Sequence, residues 1–110
     1  MAILTVQKVT LAGLEPTFAA ATETGDLFPN SGREFIYVKN SSAGALTVTV
    51  NSQTACNQGY DHDETVSVPA GKERMIGPFP KSRFDNADGR VQLTYSAGVT
   101  SLTIAVVQVP

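Results

Sequence analysis

Apolar and polar residues alternate with a period of two along most of this chain, in short runs cut by glycine, proline, asparagine and aspartate. A period of two places successive side chains on opposite faces of an extended strand, so each run is a strand with one face toward a core. The runs predict strands over Ile3–Val9, Glu34–Lys39, Ala45–Asn51, Thr65–Val68, Lys72–Ile76, Arg90–Tyr95 and Ser101–Val109. Phe35-Ile36-Tyr37-Val38 is aromatic and β-branched throughout and predicts a central strand. Leu46, Val48 and Val50 share one face of the following run, and Thr47, Thr49 and Asn51 the other. The intervening Asn40-Ser41-Ser42-Ala43-Gly44 supplies turn chemistry, so these two runs are expected to form a hairpin. In the last run Leu102, Ile104 and Val106 share one face and Ala105, Val107 and Val109 the other, which predicts cover on both sides.

The breaks are as informative as the runs. Pro69-Ala70-Gly71, Asp85-Asn86-Ala87-Asp88-Gly89 and Ser96-Ala97-Gly98 read as turns, with Asp88-Gly89 a hairpin signal. Gly77-Pro78-Phe79-Pro80 cannot continue a ladder, because proline lacks the N–H. Ala12–Gly32 carries Gly13, Pro16, Gly25, Pro29 and Gly32 and is expected to be mostly loop. A short strand near Thr17–Ala20 and a helix through Ala19–Thr24 are the two local alternatives inside it. Many short strands with such turns predict an all-β fold: a small antiparallel β-sandwich or jelly-roll-like barrel with one long N-terminal loop region.

The 110 residues give room for one domain and not two. Charged residues are 16% of the chain, against about 25% in an average soluble protein. A domain so poor in charge either shows a neutral Ser/Thr/Gln-rich surface or covers much of its surface with partners. The net charge of -2 gives no basic footprint for nucleic acid, and the longest apolar stretches, such as Phe35–Val38 and Ile104–Val107, are too short to span a membrane. Cys56 is the only cysteine, so packing and backbone pairing rather than an internal disulfide must hold the fold. The first residues, Met1 to Lys8, lack a basic region and a long apolar run, so synthesis in a cytoplasm without a signal peptide is expected.

Candidate chemistry is sparse. Asp61-His62-Asp63-Glu64 gathers three carboxylates and the single histidine, but neighbours on an extended segment point to alternate sides, so Asp61 and Asp63 diverge from His62. A solvated acidic loop is the better reading. A calcium loop with Gly89 at its sixth position would need an oxygen ligand at Phe84 and a bidentate glutamate at Tyr95, so that template fails. Cys56 and His62 are close enough in sequence to meet, yet no orienting group or oxyanion hole accompanies them. No phosphate-cradling glycine loop or dinucleotide fingerprint occurs. The expectation is a protein that is not an enzyme and uses no metal or cofactor.

The segment best suited to contact a partner is Met75–Phe84. Pro78, Phe79, Pro80, Arg83 and Phe84 combine stiff backbone, apolar anchors and a guanidinium, and a stiff segment loses little entropy on docking. The same phenylalanines also read as a plug for the end of the sandwich. Phe28 and Pro29 in the long loop admit the same two readings.

Several stretches together resemble a known family: Lys8-Val9-Thr10-Leu11-Ala12-Gly13-Leu14; Thr24-Gly25-Asp26 with Phe28-Pro29-Asn30; Val38-Lys39-Asn40; and Thr47-Val48-Thr49-Val50. So do Val66-Ser67-Val68-Pro69-Ala70-Gly71, Ile76-Gly77-Pro78-Phe79-Pro80, Val91-Gln92-Leu93-Thr94-Tyr95 and Val99-Thr100-Ser101-Leu102-Thr103. Over nearly the whole chain the sequence is similar to small β-structured proteins of phage and prophage head regions, of the capsid decoration (cement) type. The resemblance implies a virion structural protein on the outer capsid surface, with the major capsid protein as partner and a homo-oligomer, a trimer by preference, as its working form. In that reading Ile3–Val9 or the closing strand adds to a neighbour's sheet edge, and the long loop and Pro78–Phe84 reach the shell. A head–tail connector or tail-tube subunit has the same composition. A carbohydrate-binding or adhesin-like β-sandwich is the third reading, although the chain has no tryptophan.

Overall fold

A computed structural model describes residues 2–53, 63–96 and 101–110. Cys56, Asp61 and His62 lie outside the described residues, as does the predicted turn at residues 97–98. The chain forms β1 (Ala2–Ile3), β2 (Val6–Lys8), β3 (Ala19–Ala20), β4 (Asp26–Pro29), β5 (Glu34–Asn40), β6 (Leu46–Val50), β7 (Glu64–Val68) and β8 (Glu73–Ile76). A one-turn helix α1 (Lys81–Phe84), β9 (Arg90–Tyr95) and β10 (Leu102–Gln108) complete it. The fold is an all-β sandwich. One sheet runs β1-β4-β9-β6-β7, and the other runs β2-β10-β5-β8 with β3 also paired to β10. All pairings are antiparallel except β1 with β4 and β2 with β10.

Alternation decides which side chains fill the space between the sheets. Ile36 and Val38 of β5, Ile104 and Val106 of β10, Val48 and Val50 of β6, and Val91 and Leu93 of β9 are essentially without solvent exposure. Phe28, Val68, Phe79 and Phe84 close the same cluster. Each such side chain stabilises the fold by about 1.5–3 kcal/mol relative to an exposed one.

Four local expectations require correction. The runs at Glu34–Lys39 and Ala45–Asn51 do not pair as a hairpin: β5 lies between β10 and β8, whereas β6 lies between β9 and β7 in the other sheet. The turn at residues 41–45 instead carries the chain across the sandwich. Asn40 fixes that crossing, its amide donating to the Gly44 and Val68 carbonyls at 2.9 Å each while its Oδ1 accepts from the Ser42 backbone N–H. The predicted first strand Ile3–Val9 is two strands, because the chain switches sheets at Leu4-Thr5.

The long loop region is more ordered than its glycines and prolines suggest. The alternative helix over Ala19–Thr24 does not form; Ala19–Ala20 pairs with β10, and a turn closed by Gly25 N–H to Thr22 carbonyl at 2.8 Å follows. β4 then runs between β1 and β9, with Pro29 at its end where a missing N–H costs least. Finally, β10 cannot add to a neighbour's edge, because β5 pairs along one side of it and β2 and β3 along the other. Its second face is covered within the chain: Ala105 and Val107 are buried, with Tyr37 and Phe35 as their cross-strand partners.

Candidate interface at the open seam

A sandwich of two open sheets leaves two seams where sheet edges meet solvent. On one side those edges are β7 and β8, each paired on a single side. A groove of about 360 Å³ lies in this seam. Phe79 and Phe84 line it beside Ile76 and Val66, and its rim includes Met75, Pro78, Pro80, Arg83 and Glu64. Five of the seven residues expected to form a contact, Pro78, Phe79, Pro80, Arg83 and Phe84, therefore converge on one place.

Their roles differ. Phe79 and Phe84 are 3% and 4% exposed, and their rings meet edge-on at 5.8 Å. Phe79 also packs on the fully buried Phe28 ring at 5.6 Å. These three phenylalanines are core residues that close the end of the sandwich, as the plug reading holds. What the surface presents is Pro78, Pro80, Met75 and the half-buried Arg83. Arg83 lies 4.6 Å over the Phe84 ring, and its guanidinium is 3.5 Å from the Glu64 carboxylate across the groove. Pro29 does not join them; it borders a separate depression with Lys8, Ser31 and Gly89.

Tight backbone packing and side-chain hydrogen bonds hold the segment in place. Gly77 has φ +136°, and a Cβ there would lie 2.8 Å from the Phe35 Cβ, so only glycine lets the chain approach β5 this closely. At the other end of the segment the Asn30 side-chain amide donates to the Phe79 carbonyl at 3.0 Å and to the Asp85 carboxylate at 2.7 Å. Lys81 bridges the Asn30 carbonyl and the Asp85 carboxylate at 2.8 and 2.9 Å. The lining residues Met75 and Ile76 fall inside the stretch marked out from sequence, but Glu64 and Val66 come from a distant strand. No local signal joins them to it.

Three further groupings of side chains lie away from this seam. Glu34 is buried and accepts from the Ser31 N–H and hydroxyl, the Arg33 N–H and the Gln108 amide, the closest at 2.6 Å. Burial alone would raise its pKa, but these donors together hold it below the ordinary glutamate range. The carboxylate ties the start of β5 to the end of β10 and is fully used in doing so. Asp26 is also buried, accepting from the Tyr95 hydroxyl at 2.6 Å and the Thr22 N–H at 3.1 Å. Burial, and then this carboxylate, pushes the Tyr95 hydroxyl far above its ordinary pKa, so it stays a donor. On the outer face of β5, Phe18 and Tyr37 meet at 79° with Lys39 4.2 Å over the Phe18 ring.

Of the acidic stretch Asp61–Glu64, the described part is structural: Asp63 accepts from the Ser52 N–H at 2.7 Å, and Glu64 faces Arg83. No family model, no curated protein and no solved structure matches this chain.

Proposed function

We propose that this chain is a phage virion structural protein that binds the outer surface of the capsid as a decoration (cement) protein, and that the β7–β8 groove is its contact face. The observation that carries the reading is the groove itself, an apolar floor rimmed by Met75, Pro78, Pro80 and Arg83 and built on a segment that Gly77 packs against β5. Met75 is 66% exposed at the outer edge of the groove, on the face of β8 that it shares with Tyr37, an unusual position for a large apolar side chain. Methionine adapts to irregular partner surfaces, and arginine is enriched in interface cores. Copies bound to the assembled shell stabilise it by mass action, because the contact is lost when the shell comes apart. The sequence resemblance to phage head-region proteins supplies the class of partner, the major capsid protein, and a trimer as the bound form.

Purified shells lacking the protein, mixed with it and imaged by electron microscopy, test the proposal. Hundreds of copies on the outer surface, with a raised temperature of shell disruption, are expected. Met75→Asp combined with Pro80→Asp should fold normally and lose most of that occupancy. About a dozen copies at one vertex would assign the chain to a connector or tail instead. Shells equally heat-resistant with and without the protein would overturn the strengthening role.

A further inference from the structure

The edge that borders the groove carries its own pattern. The register β5–β8 pairs Lys39 with Glu73, Val38 with Arg74, Tyr37 with Met75 and Ile36 with Ile76. Arg74 and Ile76 therefore share the side of β8 that faces the other sheet, as do their fully buried partners Val38 and Ile36. Lys72, whose carbonyl accepts from the Asn40 N–H at 3.0 Å, extends the ladder by one position on that same side. Along the free edge the seam side thus reads Lys72, Arg74, Ile76 and then the groove.

Among the described residues the charges along this row are uncompensated. Glu73, the acid between them, is turned to the outer face, where it accepts from the Tyr37 hydroxyl at 2.9 Å and pairs with Lys39 at 3.7 Å. Among the described residues no carboxylate pairs with Lys72 or Arg74; the Arg74 guanidinium donates only to the Glu73 carbonyl, at 2.7 Å. A cationic edge on a chain of net charge -2 stands apart from the rest of the molecule. A second copy offering this same edge would place like charges opposite one another, which is unfavourable in strand pairing.

We infer that the free edge of β8 accepts an extended acidic segment of a partner protein as an added strand, with the pattern apolar–x–acidic–x–acidic. Main-chain hydrogen bonds to β8 supply affinity. The alternate side chains supply selectivity: the apolar one enters the groove beside Ile76 and Phe79, and the two carboxylates meet Arg74 and Lys72. The inference rests on the seam being the contact face and adds the chemistry of what it contacts.

A heptapeptide Thr-Val-Thr-Glu-Thr-Glu-Thr, capped at both ends, is the probe, with a control carrying lysine for both glutamates. Titration of the full chain, followed by backbone amide NMR, should shift the Glu73–Gly77 amides for the acidic peptide, weaken with added salt, and bind the lysine peptide at least tenfold less well. Lys72→Glu combined with Arg74→Glu, both at exposed positions, should invert that preference while the spectrum stays folded. Equal binding of both peptides, shifts located elsewhere, or no shift at millimolar peptide would overturn the inference. Shell binding by this double variant at wild-type level would also overturn it while leaving capsid decoration intact. Failure of the wild-type chain to bind any shell would instead overturn the decoration reading, with the peptide titration unaffected.

Discussion

Gly77 is the position where one added methyl group tests the architecture of the seam. At φ +136° an alanine is strained by about 1–3 kcal/mol, since L side chains rarely adopt that conformation. Its Cβ would also sit 2.8 Å from the Phe35 Cβ and 2.9 Å from the Phe35 Cα. Both atoms belong to β5, which is paired on both sides, so the neighbour cannot give way and overpacking adds about 1–3 kcal/mol. Gly71 provides the matched control: its φ of +69° also disfavours alanine, by about 1–2 kcal/mol, but nothing lies within 4 Å of a Cβ there. The effect of alanine on the unfolded chain is common to both variants and cancels in the comparison. Gly77→Ala should therefore lose about 2 kcal/mol more than Gly71→Ala. In urea, with a slope of about 1–2 kcal/mol/M, that difference separates their midpoints by about 1–2 M. Equal midpoints would refute the close approach of Gly77 to β5, and with it the fixed geometry assigned to the groove.

Phe79→Ala should cost about 3–5 kcal/mol, as expected for emptying a buried ring site, whereas Met75→Ala should stay within about 0.5 kcal/mol; comparable losses by chemical denaturation would contradict the division into floor and rim. Tyr95→Phe removes the hydroxyl that serves the buried Asp26 and should cost about 1–3 kcal/mol, read as a fall in Tm that Tyr37→Phe on the outer face does not reproduce. Glu34 has a folded pKa below its unfolded value, so its contribution is present above the ordinary glutamate range and disappears as pH falls through the lowered value. Glu34→Gln should consequently be less stable than wild type at neutral pH, with the gap narrowing on acidification; a gap independent of pH would show that the carboxylate charge is not what the Ser31 and Gln108 donors recognise.

The strands with the cleanest alternation were legible directly. Glu34–Lys39, Arg90–Tyr95 and Ser101–Val109 match β5, β9 and β10 closely, because a half-buried strand must repeat every two residues wherever it sits. β4 was hidden by Pro29 and by its shortness: four residues starting with a buried aspartate carry too little alternation to register, and the Tyr95 hydroxyl and Thr22 N–H that serve that aspartate come from outside the strand. Cover on both faces of the last strand agrees with the tertiary structure at Ala105 and Val107, whereas Val109, past the end of β10, is exposed.

By itself, then, the sequence determined the class of fold, the positions of most strands, and the stretch Met75–Phe84 that lines the open seam. Pairing was decided only in three dimensions. Turn chemistry at Asn40–Gly44 suits a hairpin and a crossing between sheets equally well, and the choice falls to the long-range ladders that β10 offers β5 and β9 offers β6. Inward and outward roles in the proline segment were likewise undecided, since Phe79 and Arg83 look alike to any rule about interfaces. Burial against Phe28 settles one, and the Glu64 carboxylate across the groove holds the other at the surface. Period and turn preference act over a few residues, whereas partners such as Phe28 and Glu64 are brought near only when both sheets have closed.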